Sequence, residues 1–537
     1  MLGGPSGNGT AFSNIFSETV TAGLTQRNFR ATDLAGFFQD DWKASSRLTF
    51  NLGVRWEYMG PIYDKYGRTG NFDPRLYQAP PPGGQTSSGF VLPRNTEFPV
   101  SGLPRVNNNF LDNTQKKLFS PRIGLAYRPI AGKSLVVRAG YGLFYDRVSN
   151  NLILQTLTSP PFFTLFSDSG ANISFASFQN PFPALSPNAA HPLVPVVYAP
   201  PYDAVRRLVS VYSLNPLLKT PYLQQYSLNI QHELTYSLLL EIGYAGSKGT
   251  SLRNTRGVNQ ALLASPEHPV NGIITNTAAN AAQRVPYIGF SPTGLTQVQT
   301  ETDSRYHSLQ VSLTQRLSSH LQFLGSYTWA KSVDNTGSSG DQTDYRQNRG
   351  LSSFDRHHRF VFSYVYDLPA WGMRLNGTKL GRRFFSGWQL AGIATVQSGD
   401  PLTITDSGGA GFYGSTGSRA SYAPGETSKT ATLSGDVTQR LSKFFNTAAF
   451  TRAGNLFGNT GVGILRGPAQ SNVDIALSKK ISIREKSAIE WRMEVFNVPN
   501  TSNFADPNTS ITSSTFGTIS GTVSNARLIQ FGLRIVY

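Results

Sequence analysis

The sequence contains no cysteine among its 537 residues. Disulfide bonds and thiolate metal sites are therefore excluded, and the fold must be held by packing and hydrogen bonds alone. Long apolar runs are absent as well, since no segment reaches the roughly 18 residues that a membrane-spanning helix needs. A helical membrane protein is thereby excluded. A membrane β-barrel is not, because its strands alternate lipid-facing with polar residues and average hydropathy hides them.

Clusters of positive charge are also missing, although the formal net charge is +17. Lysine and arginine are spread along the chain, with no run of five or more. Such dispersion favours a basic lumen or a rim that faces anionic lipid over a nucleic-acid interface. We therefore expect no nucleic-acid partner.

Aromatic residues and glycine are abundant, with 34 Phe, 23 Tyr and 51 Gly. That mixture is typical of strands and turns. The alternation of apolar and polar residues that strands require is nearly perfect in segments 47–58 and 488–496. Helical spacing would scatter the apolar residues of both segments around a cylinder, so we predict two strands.

Similar alternation recurs along the chain and predicts about thirteen strands, mostly of the roughly 9 to 11 residues that a tilted membrane strand needs. Ordinary soluble strands are shorter, with a mode of about five or six residues. The predicted strands cover residues 33–42, 47–58, 119–128, 135–145, 222–233, 237–245, 306–317, 321–330, 356–368, 388–396, 472–483, 488–496 and 526–537.

The predicted connections alternate between tight turns and long loops rich in Pro, Gly, Ser and Asn. Short turns at one rim and long loops at the other are typical of outer-membrane barrels, in which the short turns are periplasmic. We expect the long loops to lack a core of their own, and we interpret segment 162–201 as loop because proline interrupts it repeatedly. Segment 11–22 is a candidate for one further strand, although its alternation is poor.

The last predicted strand has one wholly apolar face, formed by Ile529, Phe531, Leu533, Ile535 and Tyr537. It ends the given sequence on an aromatic residue. In this it resembles the final strand of bacterial outer-membrane barrels, which closes the barrel and is read by the barrel assembly machinery.

Several sequence blocks resemble, in their shared order, those of TonB-dependent receptors of the Oar-like group. They include F-F-Q-D-D-W-K-A-S-S-R-L-T-F-N-L-G-V-R-W-E-Y (37–58), F-S-P-R-I-G-L-A-Y-R-P (119–129), Q-Q-Y-S-L-N-I-Q-H-E-L (224–234) and F-D-R-H-H-R-F-V-F-S-Y-V-Y-D-L-P (354–369). The blocks extend over most of the chain from about residue 33 onward.

This resemblance implies an all-β fold, an antiparallel transmembrane β-barrel in the bacterial outer membrane. We expect a short N-terminal segment over residues 1–32 and a receptor-like barrel domain over residues 33–537, with about 13 to 16 strands visible of a barrel that reaches about 22. The implied activity is uptake of a bulky nutrient of the carbohydrate, siderophore or peptide class. The expected partners are outer-membrane lipid, lipopolysaccharide and the barrel assembly machinery.

The sequence departs from the family before residue 33. It shows no signal peptide, no plug domain, no box for contacting TonB and no immunoglobulin-like module. We therefore interpret the chain as the barrel portion of a receptor, with the TonB complex a partner only if plug and box are present in the full-length protein. The alternative is a barrel that works without a plug, as a passive porin-like channel or a surface adhesin.

Two groups of side chains are candidate functional residues. The first group contains charges that we expect inside the lumen, where opposite charges on neighbouring strands would pair with them: Arg55, Glu57, Arg122, Arg138, Glu490, Arg492, Glu494 and Arg534. The second contains aromatic residues that we expect at the two membrane interfaces: Trp42, Trp56, Trp329, Trp388 and Trp491.

Catalytic and metal-binding motifs are weak. His357 and His358 are the only close histidine pair, and adjacent residues of a strand point to opposite faces, so we expect them to hold no shared ion. The chain has no G-x-S-x-G elbow and no phosphate-binding loop. We predict no enzymatic activity, no metal site and no cofactor.

Overall fold

The structure is a computed structural model. It describes residues 17–23, 26–79, 88–97, 102–147, 156, 162–169, 209–288, 290–318, 320–337, 340–369, 385–409, 413, 418–454, 457–484 and 487–536.

One large antiparallel sheet dominates these residues, and its thirteen main strands correspond to the thirteen predicted segments. Over most of their length the strands carry the two-residue alternation that places apolar side chains on one face and polar side chains on the other. The strands are β1 (Asp33–Ser45), β2 (Leu48–Met59), β3 (Leu118–Tyr127), β4 (Val136–Tyr145), β5 (Tyr222–Thr235), β6 (Leu238–Gly257), β7 (Phe290–Ser318), β8 (Leu321–Asp334), β9 (His358–Asp367), β10 (Trp388–Gln397), β11 (Gln470–Arg484), β12 (Ser487–Phe496) and β13 (Leu528–Val536).

The strands follow one another in the sheet in chain order, and every pair of successive strands is antiparallel. Two short strands join at the side, Val209–Leu214 parallel to β7 and Gly350–Leu351 beside β8. Within the described residues, β1 and β13 each have only one ladder partner. The sheet is thus an up-and-down meander with β1 and β13 at its two edges.

Short and long connections alternate along this meander. Two-residue links at 46–47 and 236–237 lie at one end of the sheet, and long connections such as 60–117 and 398–469 join the strands at the other. Because successive strands run in opposite directions, this alternation gathers the long connections at one end, with one exception. The connection between β9 and β10, residues 368–387, belongs to the short-turn end. The prediction of a short-turn rim and a long-loop rim therefore matches the strand boundaries.

Two strands are much longer than predicted. The apolar alternation predicts that β6 ends at residue 245 and that β7 begins at residue 306. In the structure, β6 continues to Gly257 and β7 begins at Phe290. The added residues pair with each other, for example Thr255 with Val298. Their sequence is mostly polar and its few apolar residues, such as Leu295 and Val298, do not alternate, so the ladder continues where the apolar alternation has stopped.

The expectation that the long loops lack a core is wrong. All four clusters of buried apolar residues lie in the long connections and the strand extensions that border them. The largest includes Leu402, Ile404, Phe445, Phe450 and Ile519, which come from the connections 398–469 and 497–527. Loop segments that are far apart in sequence therefore fold together into a layer above the sheet, which we call the loop layer.

Smaller elements complete this layer. The interpretation of segment 162–201 as loop is wrong for Phe163–Ser169. This segment is a strand, which pairs with Ser17–Gly23. That partner is the candidate strand of segment 11–22, which lies outside the main sheet. The other short strands are Phe29–Arg30, Tyr63–Asp64, Asn71–Phe72, Phe90–Pro93, Arg105–Val106, Pro401–Leu402, Thr405–Asp406, Ser418–Arg419, Ser421–Tyr422, Phe450–Thr451 and Leu465–Arg466. The helical turns are Pro74–Leu76, Ala281–Gln283, Tyr345–Asn348, Ser407–Gly409, Ser428–Ala431, Val437–Arg440 and Thr447–Ala449.

No helix in the described part of the chain is long and apolar enough to cross a membrane.

Candidate functional site

One face of the sheet is apolar and exposed, and the terminal strand illustrates it. In the ladder between β12 and β13, Trp491 lies opposite Leu533 and Met493 lies opposite Phe531. The predicted apolar residues Ile529, Phe531, Leu533 and Ile535 are all on this side, each between 52% and 69% exposed; Tyr537 lies outside the described residues. We call this side of the sheet the outer face. An exposed apolar surface that runs across every strand of a sheet needs an apolar medium or partner.

All five candidate tryptophans lie on the outer face, and they form two rims. Trp42, Trp388 and Trp491 are near the short-turn end, where Trp42 stacks on Phe50 with 5.5 Å between ring centroids and Trp388 meets Trp491 at 5.8 Å. Trp56 and Trp329 are near the long-loop end, and Trp56 Nε1 donates to the carbonyl oxygen of Lys116 at 2.8 Å. This arrangement corresponds to two aromatic belts separated by an apolar band.

Lys479 lies among the tryptophans of the short-turn rim. It is opposite both Trp388 and Trp491 in the ladders, with its ammonium 4.9 Å from the Trp388 ring centroid. Its Nζ donates to the carbonyl oxygen of Ser386 at 2.6 Å. A lysine on an apolar face that directs its charge toward the polar rim is the expected snorkelling geometry.

The opposite face, which we call the inner face, carries the candidate charges. Glu490 on β12 lies between two cations, with Lys480 Nζ of β11 at 3.6 Å and Arg534 Nη1 of β13 at 3.9 Å. Arg492 and Glu494 instead pair along β12 at 2.6 Å. The inner-face charges of β11 to β13 therefore form a ladder of alternating sign.

The remaining inner-face candidates lie on the first strands of the sheet. Arg55 and Glu57 pair along β2 at 2.9 Å, although partners on neighbouring strands were expected. The guanidinium of Arg138 donates to the side-chain oxygen of Gln231 on β5. Arg122 lies over the ring of Phe144, 4.9 Å from its centroid. The structure thus places the predicted charges on the inner face near the two edges of the sheet, and it pairs Arg55 with Glu57 and Glu490 with Arg534.

The loop layer contains a small cleft, about 80 Å³ in volume, at the long-loop ends of β2 and β4. Backbone and side-chain bonds fix its walls: Thr220 N donates to Gln115 Oε1 at 2.7 Å, and Lys219 N donates to Thr300 Oγ1 at 2.8 Å. Its polar lining combines amides with cationic side chains, namely Asn109, Asn113, Gln115, Arg147 and Lys219. Such a lining presents several hydrogen-bond donors to a polar ligand.

Beside the cleft, Arg75 bridges two carboxylates. Its guanidinium donates to Asp73 and to Asp112, each at 2.6 Å. The bond from Arg75 holds the pKa of the Asp112 carboxyl below its usual range, and the bonds to Asp73 and Asp112 raise the pKa of Arg75. Both groups therefore stay charged at neutral pH, which ties the connection 60–117 to itself.

The histidine pair does not behave as expected from simple alternation. The rings of His357 and His358 are 4.4 Å apart, because His357 precedes the first residue of β9. His357 nevertheless uses both ring nitrogens, since Nε2 accepts from Trp329 Nε1 at 3.1 Å and Nδ1 lies 3.0 Å from the carbonyl oxygen of Ala330. Within the described ranges, no group of three or more His, Cys, Asp or Glu side chains is arranged to hold a metal ion.

Sequence reasoning missed the ion pairs that join the long connections. The carboxylate of Asp355 binds Arg466, and that of Asp400 binds Arg356. Asp355 ends the predicted loop 331–355 and Arg356 begins the predicted strand 356–368, yet neither their spacing nor their surroundings in sequence points to partners so distant along the chain. No local signal could have found these contacts.

The comparison with protein-family models agrees with this architecture. The family model described as "Outer membrane beta barrel domain" matches residues 2–530. A comparison with the curated proteins finds no match.

Among solved structures, the chain is similar to the ferripyoverdine receptor of the outer membrane of Pseudomonas aeruginosa, at 10% identity and a TM-score of 0.41, covering 95% of this chain and 39% of that one. It is also similar to the outer membrane transporter YddB from Escherichia coli, at 10% identity and a TM-score of 0.42, covering 94% and 54%. For the ferric citrate transporter FecA the identity is 8%, the TM-score 0.40 and the coverage 95% and 46%. The chain thus spans about half or less of the length of these structures.

The family match extends over nearly the whole chain, and the antiparallel meander, the apolar outer face and the two tryptophan rims are the features that a membrane barrel requires. The predicted fold class and location are therefore confirmed. The chain belongs to the family of outer membrane beta barrel domains, and its place is the bacterial outer membrane.

Proposed function

We propose that this barrel belongs to a TonB-dependent receptor that takes up a bulky nutrient of the carbohydrate, siderophore or peptide class. In this proposal residues 33–537 are the barrel domain and residues 1–32 a separate N-terminal segment. The long connections face the cell exterior and the short turns face the periplasm. No enzymatic reaction is assigned to the chain.

The cleft of the loop layer carries the proposal. A passive channel needs loops that leave its mouth open, whereas these connections pack around apolar clusters and frame a small cleft of apolar and polar side chains with hydrogen-bonded walls. A preformed concave site with a few converging polar groups is what binding of a soluble ligand requires. The ordered resemblance to Oar-like receptor blocks supports the same assignment.

Two further partners follow from the proposal. The TonB complex would drive uptake through a plug and a TonB box, as the family resemblance implies. The barrel assembly machinery would read β13, whose apolar residues Phe531 and Leu533 lie at an edge of the sheet with their side chains exposed. Both partners are expected for any receptor of this kind.

The test is uptake by cells that carry the gene at its natural locus. Labelled ferric siderophores, oligosaccharides and peptides are supplied to the natural strain, to a deletion strain and to a strain with Asn113→Ala and Lys219→Gln in the cleft. We expect one ligand class to be taken up by the natural strain alone, with uptake lost when a protonophore collapses the proton gradient. Lys429→Gln, an exposed cation elsewhere in the loop layer, is the matched control and should leave uptake unchanged.

Two results would contradict the proposal. Uptake that continues at full rate without the proton gradient would indicate a passive channel. Binding of cells to a surface or partner without uptake of any ligand would indicate an adhesin.

A further inference from the structure

On β5 to β9, the residues of the outer face become more polar from one row to the next toward the long-loop end. The ladders place Leu228, Tyr244, Leu309, Trp329 and His358 in one row across five strands. Each further row lies two residues along the strands, or about 6.6 Å at 3.3 Å per residue. The first row serves as a reference position along the strands, and its aromatic and imidazole rings suit the boundary between hydrocarbon and polar headgroups.

The next row toward the long-loop end is mixed. It contains Tyr226, Gly246, His307 and Lys331. His307 Nδ1 lies 2.6 Å from the hydroxyl of Tyr244 in the row below, so the two rows are joined by a hydrogen bond. Lys331 is exposed on the outer face.

The row beyond that brings two cations together. Lys248 on β6 lies directly opposite Arg305 on β7. Lys331 is the diagonal neighbour of Arg305, because it lies opposite His307. We call Lys248, Arg305 and Lys331 the cationic cluster.

Like charges directly opposite one another destabilise a sheet. The inner face avoids this arrangement, since Lys480, Glu490 and Arg534 alternate in sign. The nearest carboxylate along β7 on the outer face, Asp303, is bound to Arg349 at 2.6 Å. Among the described residues, none of the ion pairs joins a carboxylate to the cationic cluster.

We propose that the cationic cluster binds the phosphate groups of lipopolysaccharide in the outer leaflet. The apolar rows below would contact the acyl chains, the aromatic row would lie at the level of the glucosamine base, and the three cations would neutralise phosphate from the side of the barrel. Phosphate oxygens accept charge-assisted bonds from Arg and Lys, which removes the repulsion between Lys248 and Arg305. The site is distinct from the ligand cleft, because it faces lipid.

This inference rests on the proposed external position of the long connections. That position is tested separately: the chain has no cysteine, so a Lys429→Cys variant can be labelled on whole cells with a membrane-impermeant maleimide. Labelling supports the orientation. Absence of labelling overturns the orientation and, with it, the choice of lipopolysaccharide, whatever the lipid assay gives.

The lipid assay uses the full chain in detergent, with binding measured by native mass spectrometry. Diphosphorylated lipid A is compared with dephosphorylated lipid A, phosphatidylglycerol and inorganic phosphate. We expect diphosphorylated lipid A to bind at least about tenfold more tightly than the other three, since one charge-assisted bond is worth roughly a factor of ten. Arg305→Gln should weaken that binding about tenfold, and the triple variant Lys248→Gln, Arg305→Gln, Lys331→Gln should weaken it further.

The matched control removes three positive charges away from the outer face, by Lys429→Gln, Lys443→Gln and Lys480→Gln. It should bind lipid A as the natural chain does. Equal loss of affinity in this control, unchanged affinity in the triple variant, or equal binding of dephosphorylated lipid A would each overturn the proposal. If the triple variant does not reach the folded form, as judged by heat-dependent gel mobility, the single variants Arg305→Gln and Lys331→Gln decide the result.

Discussion

The carboxylate of Asp355 and the guanidinium of Arg466 form an ion pair that joins two long connections, with the side chain of Asp355 only 1% exposed. Asp355 Oδ1 also accepts from the backbone N of Ser332 at the end of β8, at 2.5 Å. Arg466 in turn donates to the carbonyl oxygens of Asp355 at 3.0 Å and Gly399 at 3.3 Å. One ion pair therefore fixes the loop layer to the top of the sheet.

Replacing Asp355 with Asn should loosen the loop layer, because Arg466 loses its charged partner. Breaking a buried pair from one side costs about 3 kcal/mol. Thermal unfolding followed by limited proteolysis should show cleavage within 398–469 at a lower temperature than in the natural chain. Asp344→Asn, at the exposed pair with Arg346 in the same connection as Asp355, is the control and should leave the cleavage temperature unchanged, because solvent screens an exposed pair. Equal behaviour of the two variants would contradict this role of Asp355.

Replacing Gly246 with Ala should destabilise the barrel near its long-loop rim. A Cβ atom at this position would lie 2.2 Å from Cε2 of Tyr226, whose ring covers the glycine. Moving the ring costs about 1–3 kcal/mol, the usual range for overpacking. The midpoint of the heat-dependent gel shift measures the loss. Gly36→Ala on the same face of β1 has no atom within 4 Å of the added Cβ and should leave the midpoint unchanged, so an equal drop there would refute the packing argument.

Two neighbouring residues of β13 test the assignment of the faces. Leu533 is 69% exposed on the outer face, whereas a Cβ added at Gly532 on the inner face meets no atom within 4 Å. Leu533→Gln should reduce assembly into the outer membrane, because an unpaired amide in hydrocarbon costs about 1–3 kcal/mol. Gly532→Gln should be tolerated. Envelope fractionation of cells that express each variant measures this difference, and the reverse order would exchange the two faces.

The Arg75–Asp112 pair predicts a response to acid. Because the bond from Arg75 lowers the pKa of Asp112 below its ordinary value of 3.8, the contribution of this pair to stability is complete above that pH. It is lost as the pH falls through the lowered pKa. Hydrogen exchange of residues 105–115, corrected for intrinsic rates, should therefore show a loss of protection below about pH 4.

Asp112→Asn should remove this pH-dependent step, since the asparagine side chain does not titrate. Asp303→Asn removes a carboxylate from β7, where it binds Arg349, and should leave the profile of residues 105–115 as it is. A natural chain whose protection is constant down to pH 2 would show that the pair contributes nothing to local stability.

Much of the sheet could be predicted from the sequence. The alternation in 47–58 and 488–496 depends only on which side of a strand each residue occupies, so it identifies strands and faces without knowledge of their neighbours. The same alternation predicts that Trp42 and Trp491 lie on the apolar side of their strands. Prediction failed where alternation stopped, in the extensions of β6 and β7, because hydrogen bonds to a partner strand leave no mark on composition.

The sequence by itself therefore determined the strands, their order, the apolar outer face and the family. Only the tertiary structure decided how the long connections fold, because Phe72 and Phe290, or Asp355 and Arg466, meet through ladders and turns that no local pattern encodes. The same holds for Lys248, Arg305 and Lys331, which lie on three strands and become neighbours only through register. Periodicity is a property of one strand, whereas a site is a property of several, and the register between strands is fixed by their packing together.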